Sequence, residues 1–267
     1  MTQTSRQQRR KIEREQTALG NRLLRAGLAA EPRREEVIAI ARVIAGKLGE
    51  TTNDTRASQA AGLAHDLFEA SLKARPSRVE IACRDKCSYC CHQYVGVVPP
   101  EVFRLADAVR ADRSRAGDVA SVIARCAPLR GLSPEVRVGR KLPCPLLVDN
   151  RCSTYAQRPL VCRQTTSLDL SGCLEEFEGH NMGERMQASS AHLAHAGSAH
   201  VILLGALRSA GLPDTAFELS AALDVALSDS QCQTRWLSGE PVFGSAQTVP
   251  PPPRVDMVAR QIAASIA

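Results

Sequence analysis

Apolar side chains recur at three- to four-residue spacing along most of the chain, which predicts helices with one buried face. After Pro32 the positions Val37, Ile40, Ile44 and Leu48 share such a face, and proline suits a first turn. Asn53 or Asp54 can cap the next helix, whose inward positions are Ala60, Leu63, Leu67 and Ala74 with Phe68 and Leu72 beside them, and Pro76 ends it. Pro99-Pro100-Glu101 opens another, with Val102, Leu105 and Val109 inward, and residues 117–129 add a turn or two. Helical patterns return over 184–211 and 214–229. Behind the stiff 249-VPPPP-253 run, Val255, Val258, Ile262 and Ile266 line one side of a terminal helix. The strand–helix alternation that builds a parallel sheet is missing.

Two stretches depart from the helical period. Val79 and Ile81 alternate with polar residues and predict a short extended entry into 83-CRDKCSYCC-91. In 143-PCPLLVDNRCSTYAQRPLVCR-163, the apolar run Leu146, Leu147, Val148 meets the turn pair Asp149-Asn150, which predicts a small hairpin with a cysteine near each end. Ser153 can cap a short helix carrying Tyr155 before Pro159 interrupts it. The expected fold is mostly α, with helices framing a small cysteine-rich metal-binding domain that carries a short β-hairpin. Four segments are expected: a basic helical region over 1–76, the cysteine-rich domain over 77–180, a helical region over 181–245, and a proline-rich linker with a terminal helix over 246–267.

Composition adds compartment and charge. Of 267 residues, 44% are hydrophobic and 23% charged, the balance of an ordinary globular protein. The longest apolar run, 201-VILLGAL-207, is core-sized, so no membrane span is expected. The opening MTQTSRQQRRKIEREQ has no apolar signal region, which points to a reducing cytoplasm where structural disulfides are uncommon. Residues 1–47 hold 11 Lys and Arg against 5 Asp and Glu, so the whole formal excess of +6 sits in this arm. Such an arm could contact an acidic protein partner or nucleic acid. Aromatic residues are only 3% of the chain, however, which leaves few stacking platforms, and mixed Arg and Glu favour a solvated helix face.

The ten cysteines carry the chemistry. Eight belong to the motif-bearing stretches and their continuation at Cys173: Cys83, Cys87, Cys90, Cys91, Cys144, Cys152, Cys162 and Cys173. Cys126 and Cys232 stand outside these motifs. In a reducing compartment, such density favours ligation of zinc or an iron–sulfur cluster over crosslinking, because polarizable thiolates suit soft metals. Gaps of two and three residues let neighbouring sulfurs converge, and a distant hairpin can close the site. The adjacent pair Cys90-Cys91 is hard to aim at one ion. A multi-iron cluster, or two centres sharing the region, accommodates it more easily. Eight thiols suffice for two four-ligand sites, and one site plus structural thiols stays open. Arg84, Lys86, Lys141, Arg151, Arg158 and Arg163 lie beside the thiols and can offset their charge. His92 is a candidate auxiliary ligand or proton donor. His192, His195 and His200 are expected at a solvated helix end, and Tyr155 and Arg158 are expected to organise the hairpin.

The succession CRDKCSYCC, VPPEVFRLA, PCPLLVDNRCSTYAQRPLVCR and Cys173 resembles the YkgJ-type cysteine cluster family of zinc- or iron-chelating domains, over roughly residues 80–175. The resemblance implies metal-ligand candidacy for the eight cysteines without choosing the metal. It also touches flagellin lysine methylase, which uses an iron–sulfur centre and S-adenosylmethionine, although the chain shows no motif for binding that cofactor. Cys83-x3-Cys87-x2-Cys90 further matches the spacing of radical S-adenosylmethionine enzymes, whose β/α barrel the chain does not predict. Signals for Ser/His/Asp catalysis, a phosphate-cradling loop or a dinucleotide fingerprint are absent. The expected function is metal or iron–sulfur binding with a structural, redox or methyl-transfer role. The alternative is a zinc-stapled interaction protein without catalysis, and whether the chain is an enzyme stays open.

Overall fold

A computed structural model describes residues 6–112, 117–179 and 187–266. Residues 6–74 carry three helices: α1 (Arg6–Ala26), α2 (Arg34–Leu48) and α3 (Arg56–Ala74). α2 buries Ile40, Ile44 and Leu48 as its periodicity requires, and the Glu36 carboxylate accepts the Arg33 N–H at 3.0 Å to start it. The cap position of α3 is Thr55. Asn53, expected there, stands two residues earlier and accepts the Thr55 N–H at 3.1 Å. Gly27 (φ 81°) takes the chain away from α1 in a left-handed turn packed on Ser71, whose hydroxyl accepts the Leu28 N–H at 2.8 Å. The basic helix α1 is thereby docked along α2 and α3.

After the first cysteine segment come β1 (Gly96–Val97), α4 (Pro99–Ala111), α5 (Val119–Cys126), α6 (Pro134–Gly139), and the hairpin β2 (Leu147–Val148) and β3 (Arg151–Cys152). Val97 and Val98 are buried, as are Val102, Leu105 and Val109 on α4. α7 (Leu160–Gln164) and α8 (Leu170–Gly179) follow, then α9 (Ser190–Ser209), β4 (Ala216–Glu218), α10 (Leu219–Ser228), α11 (Cys232–Leu237), β5 (Thr248–Val249) and α12 (Pro253–Ile266).

Helix α9 is the central post of the bundle. It packs against α2, α3, α7 and α12, and Ala196, Ala199, Ile202, Leu203, Ala206 and Leu207 are all buried. Gly205 permits the close approach of α12, since a Cβ there would collide with Ile262. Around α9 the apolar residues form one continuous cluster, from Leu24 on α1 to Ile262 on α12.

Several expectations are corrected. Val79 and Ile81 form no strand; Ala82 alone makes a backbone bond there, donating to Ser167 O at 2.7 Å. The pattern over 214–229 begins as strand β4, and only Leu219–Ser228 is helical. The start of the expected 184–211 helix lies outside the described residues. Tyr155 sits on a single 3-10 turn, Tyr155–Gln157, which no side chain caps. An antiparallel sheet of order β1-β4-β5 also appears, with Gly96 opposite Glu218 and Ala216 opposite Val249. Its strands are two or three residues long and more than a hundred positions apart at the first pairing, too short to show alternation.

Candidate metal centre

The first cysteine segment is shaped by two tight turns. Cys87 N donates to Arg84 O at 3.0 Å around Lys86, whose φ of 65° marks a left-handed turn residue. Residues Tyr89–His92 then form a 3-10 turn, with Cys91 N donating to Ser88 O at 2.9 Å. At three residues per turn, consecutive side chains leave the axis about 120° apart, so Cys90 and Cys91 start out in different directions. Their thiols still lie close enough to shift each other, Cys90 down and Cys91 up.

The second segment is latched onto the first. Cys144 N donates to Cys91 O at 2.7 Å. The hairpin turns through Asp149 (φ 50°) and Asn150 (φ 61°), the doubly left-handed geometry of a tight two-residue loop, and pairs Leu147 with Cys152. Ser88 Oγ bonds Asn150 Oδ1 at 3.2 Å, and the Arg151 guanidinium grips Asp85 through both carboxylate oxygens, with Nε at 2.9 Å from Oδ1. Beyond the hairpin, Arg163 (3% exposed) donates to Arg158 O at 2.8 Å and Ala156 O at 2.6 Å and pairs with Glu69. That clamp sets the start of α7, on which Cys162 sits. Glu101 holds the same helix from below: its Oε1 accepts the Leu160 N–H at 2.7 Å and meets His65 Nε2 at 3.1 Å. Cys173 enters on α8, which rests on the 3-10 turn through Phe177, whose ring lies 5.3 Å from Tyr89 and 5.0 Å from His92.

Four separate parts of the chain therefore bring eight thiols into one region. Ser167 lies between two of them: its N–H donates to Cys83 Sγ at 3.4 Å, and its hydroxyl, which donates to Asp169 O at 2.6 Å, acts on the Cys173 thiol. Cys83 and Cys173 both feel Cys87 and Cys90. Cys91 feels Cys144 and Cys152 after Cys90, and Cys162 faces Cys144, Cys90 and Cys152. All ten cysteines are free thiols. Burial pushes Cys83, Cys162 and Cys173 up, and raises Cys144 to about 12. The mutual interaction of the adjacent pair raises Cys91 and lowers Cys90. As protonated thiols the sulfurs need no common centre, and among the described residues no three His, Cys, Asp or Glu side chains converge as closely as ligands of one ion. Ligation would remove the protons and draw the thiolates inward.

The donor set fits a soft metal, and a half-buried cation supports it. Arg158 stacks 4.0 Å over Tyr155, its Nε is buried without an acceptor, and its charge acts on Cys83, Cys90 and Cys162. An N–H in that position can donate to a metal-bound thiolate. Of the other basic residues expected to offset the thiols, Arg151 is taken by Asp85, Arg163 is the clamp just described, and Lys141 lies 4.6 Å over the Phe177 ring. His92 Nδ1 is bonded to Ser88 O at 3.1 Å. His192 and His195 are buried, which corrects the solvated helix end expected for them. His192 bonds Ser189 Oγ at 2.9 Å and His195 meets Arg75 O at 3.2 Å. Cys126 and Cys232 are buried in the apolar core. Sequence reasoning missed Ser167 and Glu101. Only the spacing of Glu101 after Pro99-Pro100, in the first turn of a helix, offered a signal for either.

Neither the curated proteins nor the solved structures yield a match to the chain. No helix among the described residues is long and apolar enough to cross a membrane. What does match is the stretch that carries all eight clustered thiols: residues 82–187 fit the family model CxxCxxCC, described as "Putative zinc- or iron-chelating domain", the YkgJ-type family that the cysteine motifs resemble.

Proposed function

We propose that the protein chelates metal through Cys83, Cys87, Cys90, Cys91, Cys144, Cys152, Cys162 and Cys173, and that the metal is iron held as iron–sulfur. The observation that carries the reading is that free thiols from four parts of the chain share one region, with the charge of Arg158 acting on Cys83, Cys90 and Cys162. Three sulfurs spaced C-x3-C-x2-C on one loop, with a fourth supplied by α8, suit the wide reach of a cluster better than the short radius of one zinc ion. Bound metal would tie residues 83–91 to the hairpin, α7 and α8, so its binding free energy would be partly folding free energy. A redox role follows from iron–sulfur occupancy, and Cys90 and Cys173 line a small cavity with Tyr89, His92, Glu176 and Phe177 through which a centre would meet solvent. Methyl transfer and radical S-adenosylmethionine chemistry gain no support. The described strands pair antiparallel, and no β/α barrel is present among the described residues. Visible absorption of protein purified without oxygen tests the reading. A brown protein that bleaches on reduction is expected, and a colourless, zinc-loaded protein would replace iron with zinc while leaving chelation intact.

A further inference from the structure

Away from the cysteine-rich region, the charge excess of the chain gathers on α1. This helix carries seven Lys and Arg against two Glu, so a net of +5 out of the chain's formal +6 falls on it. We propose that the outward face of α1 docks on duplex DNA through the phosphate backbone, a binding function separate from the candidate metal centre.

Basic residues and Glu mix along the sequence of this arm, but the helix sorts them. At about 100° per residue, Arg10, Lys11, Arg14, Arg22 and Arg25 fall within a sector of about 120°, and Glu13 and Glu15 lie outside it on either side. The sector faces away from Gly20, Leu23 and Leu24, which pack on the body; at Gly20 a Cβ would collide with Ala39 O. All five cations are exposed. Among the described residues no carboxylate pairs with Arg10, Arg14, Arg22 or Arg25, and Lys11 meets Glu15 at 3.9 Å with both side chains in solvent. The first buried residue of the helix is Gly20. From Arg6 to Ala18, about 20 Å of helix, no described side chain is buried, so this half stands clear of the bundle.

The composition of this face selects its occupant. Protein partners are held by an apolar core within a polar rim. Between its cations the sector offers Gln7, Ala18 and Asn21, while Ile12 and the leucines of α1 lie on other sides, so that core is lacking. Single strands are held by stacking on aromatic rings, and the chain has none before Phe68, which is buried. A duplex needs neither, since it presents one phosphate charge per about 1.7 Å of its axis. Gln7 and Asn21 can bond phosphate oxygens beside the cations. An α-helix about 10–12 Å across also fits the major groove of B-form DNA, about 12 Å wide, and not the deep, narrow groove of duplex RNA.

Fluorescence anisotropy of the full-length chain, purified without oxygen, on a labelled DNA duplex of about 30 base pairs tests the proposal. Five phosphate contacts predict a slope of log affinity against log salt of about −4 to −5. Arg10→Gln/Arg14→Gln should flatten that slope by about 2 and weaken binding about tenfold or more at about 50 mM salt. Both substitutions lie on the part of α1 that buries no described side chain, so circular dichroism should be unchanged. Arg78→Gln/Arg254→Gln, which removes the same charge from exposed positions elsewhere, should leave the slope as it is. Equal losses in the two double variants, or no binding at about 50 mM salt, would overturn the proposal. Duplex RNA bound as tightly as DNA would overturn the groove fit, and poly-L-glutamate bound as tightly would replace DNA by an acidic protein. Metal content of the α1 variant should equal the parent's, so a failure here leaves chelation standing.

Discussion

Glu101 is the polar pivot beneath the candidate centre, and removing it should loosen the helix that carries Cys162. Its side chain is 1% exposed in the first turn of α4. Burial opposes its charge, but the bonds from His65 Nε2 (3.1 Å) and Leu160 N (2.7 Å) outweigh that cost and hold its carboxyl below the ordinary value. Burial keeps His65 neutral, below its usual 6.5, so its Nε2–H donates and its buried Nδ1 is left bare. Glu101→Ala strands two buried donors, at about 1–3 kcal/mol each, for a loss of about 3–5 kcal/mol with the space it leaves. Glu101→Gln keeps one oxygen for both donors and should cost less, about 1–3 kcal/mol. Urea unfolding followed by circular dichroism should show a lower midpoint at unchanged slope. The Cys162 thiol of the alanine variant should also alkylate faster than in the parent. The pH dependence has one sign for both groups. A depressed carboxyl contributes stability in full above 4.5 and loses it as pH falls through the folded value. A depressed histidine lets the unfolded chain bind the extra proton below 6.5, which also destabilises on acidification. Glu101→Gln should flatten the lower part of that acid limb. An alanine variant within about 1 kcal/mol of the parent, with unchanged Cys162 reactivity, would refute the reasoning.

The Arg137–Glu218 pair offers a second test. Arg137 Nη1 meets Glu218 Oε1 and Ser220 Oγ at 2.7 Å each with both charges buried, and Glu218 Oε2 also caps α10 at Ala221 N, so Glu218→Ala should cost about 3–5 kcal/mol in denaturant unfolding. Replacing both partners by leucine should recover part of that loss, whereas additive losses would show that the charges do not act as a pair. Cys126→Ala and Cys232→Ala remove buried sulfurs and should each cost about 1–2 kcal/mol while leaving metal content unchanged; metal loss from either folded variant would show the site drawn wrongly.

The helical frame was legible wherever burial covered a continuous face. α2, α4 and α12 follow the expected positions because Ile40, Ile44, Val102, Leu105 and Ile262 all meet the core. The hairpin was legible from Asp149-Asn150, whose side chains tolerate positive φ. α6, α8 and α11 were not seen, since helices of six to ten residues offer too few turns to display a period. The cysteines announced themselves by density and spacing, but not the way the fold brings them into one region. That depends on the 3-10 turn at Tyr89–His92, on Ser167 and on the Cys91–Cys144 peptide bond pairing, all products of long-range packing. The three histidines of α9 misled because glycine and alanine beside them read as a polar, open helix. Phe68 and Arg75 from α3 and its end cover two of them.

The central claim is chelation by the clustered thiols, and counting metal against protected thiols tests it most directly. Full-length protein purified without oxygen should contain iron, with matching acid-labile sulfide. Its eight clustered cysteines, Cys126 and Cys232 aside, should resist alkylation until the metal is stripped, while the fold persists long enough to be measured. A folded chain without iron or zinc, whose eight thiols alkylate freely from the start, would contradict the account.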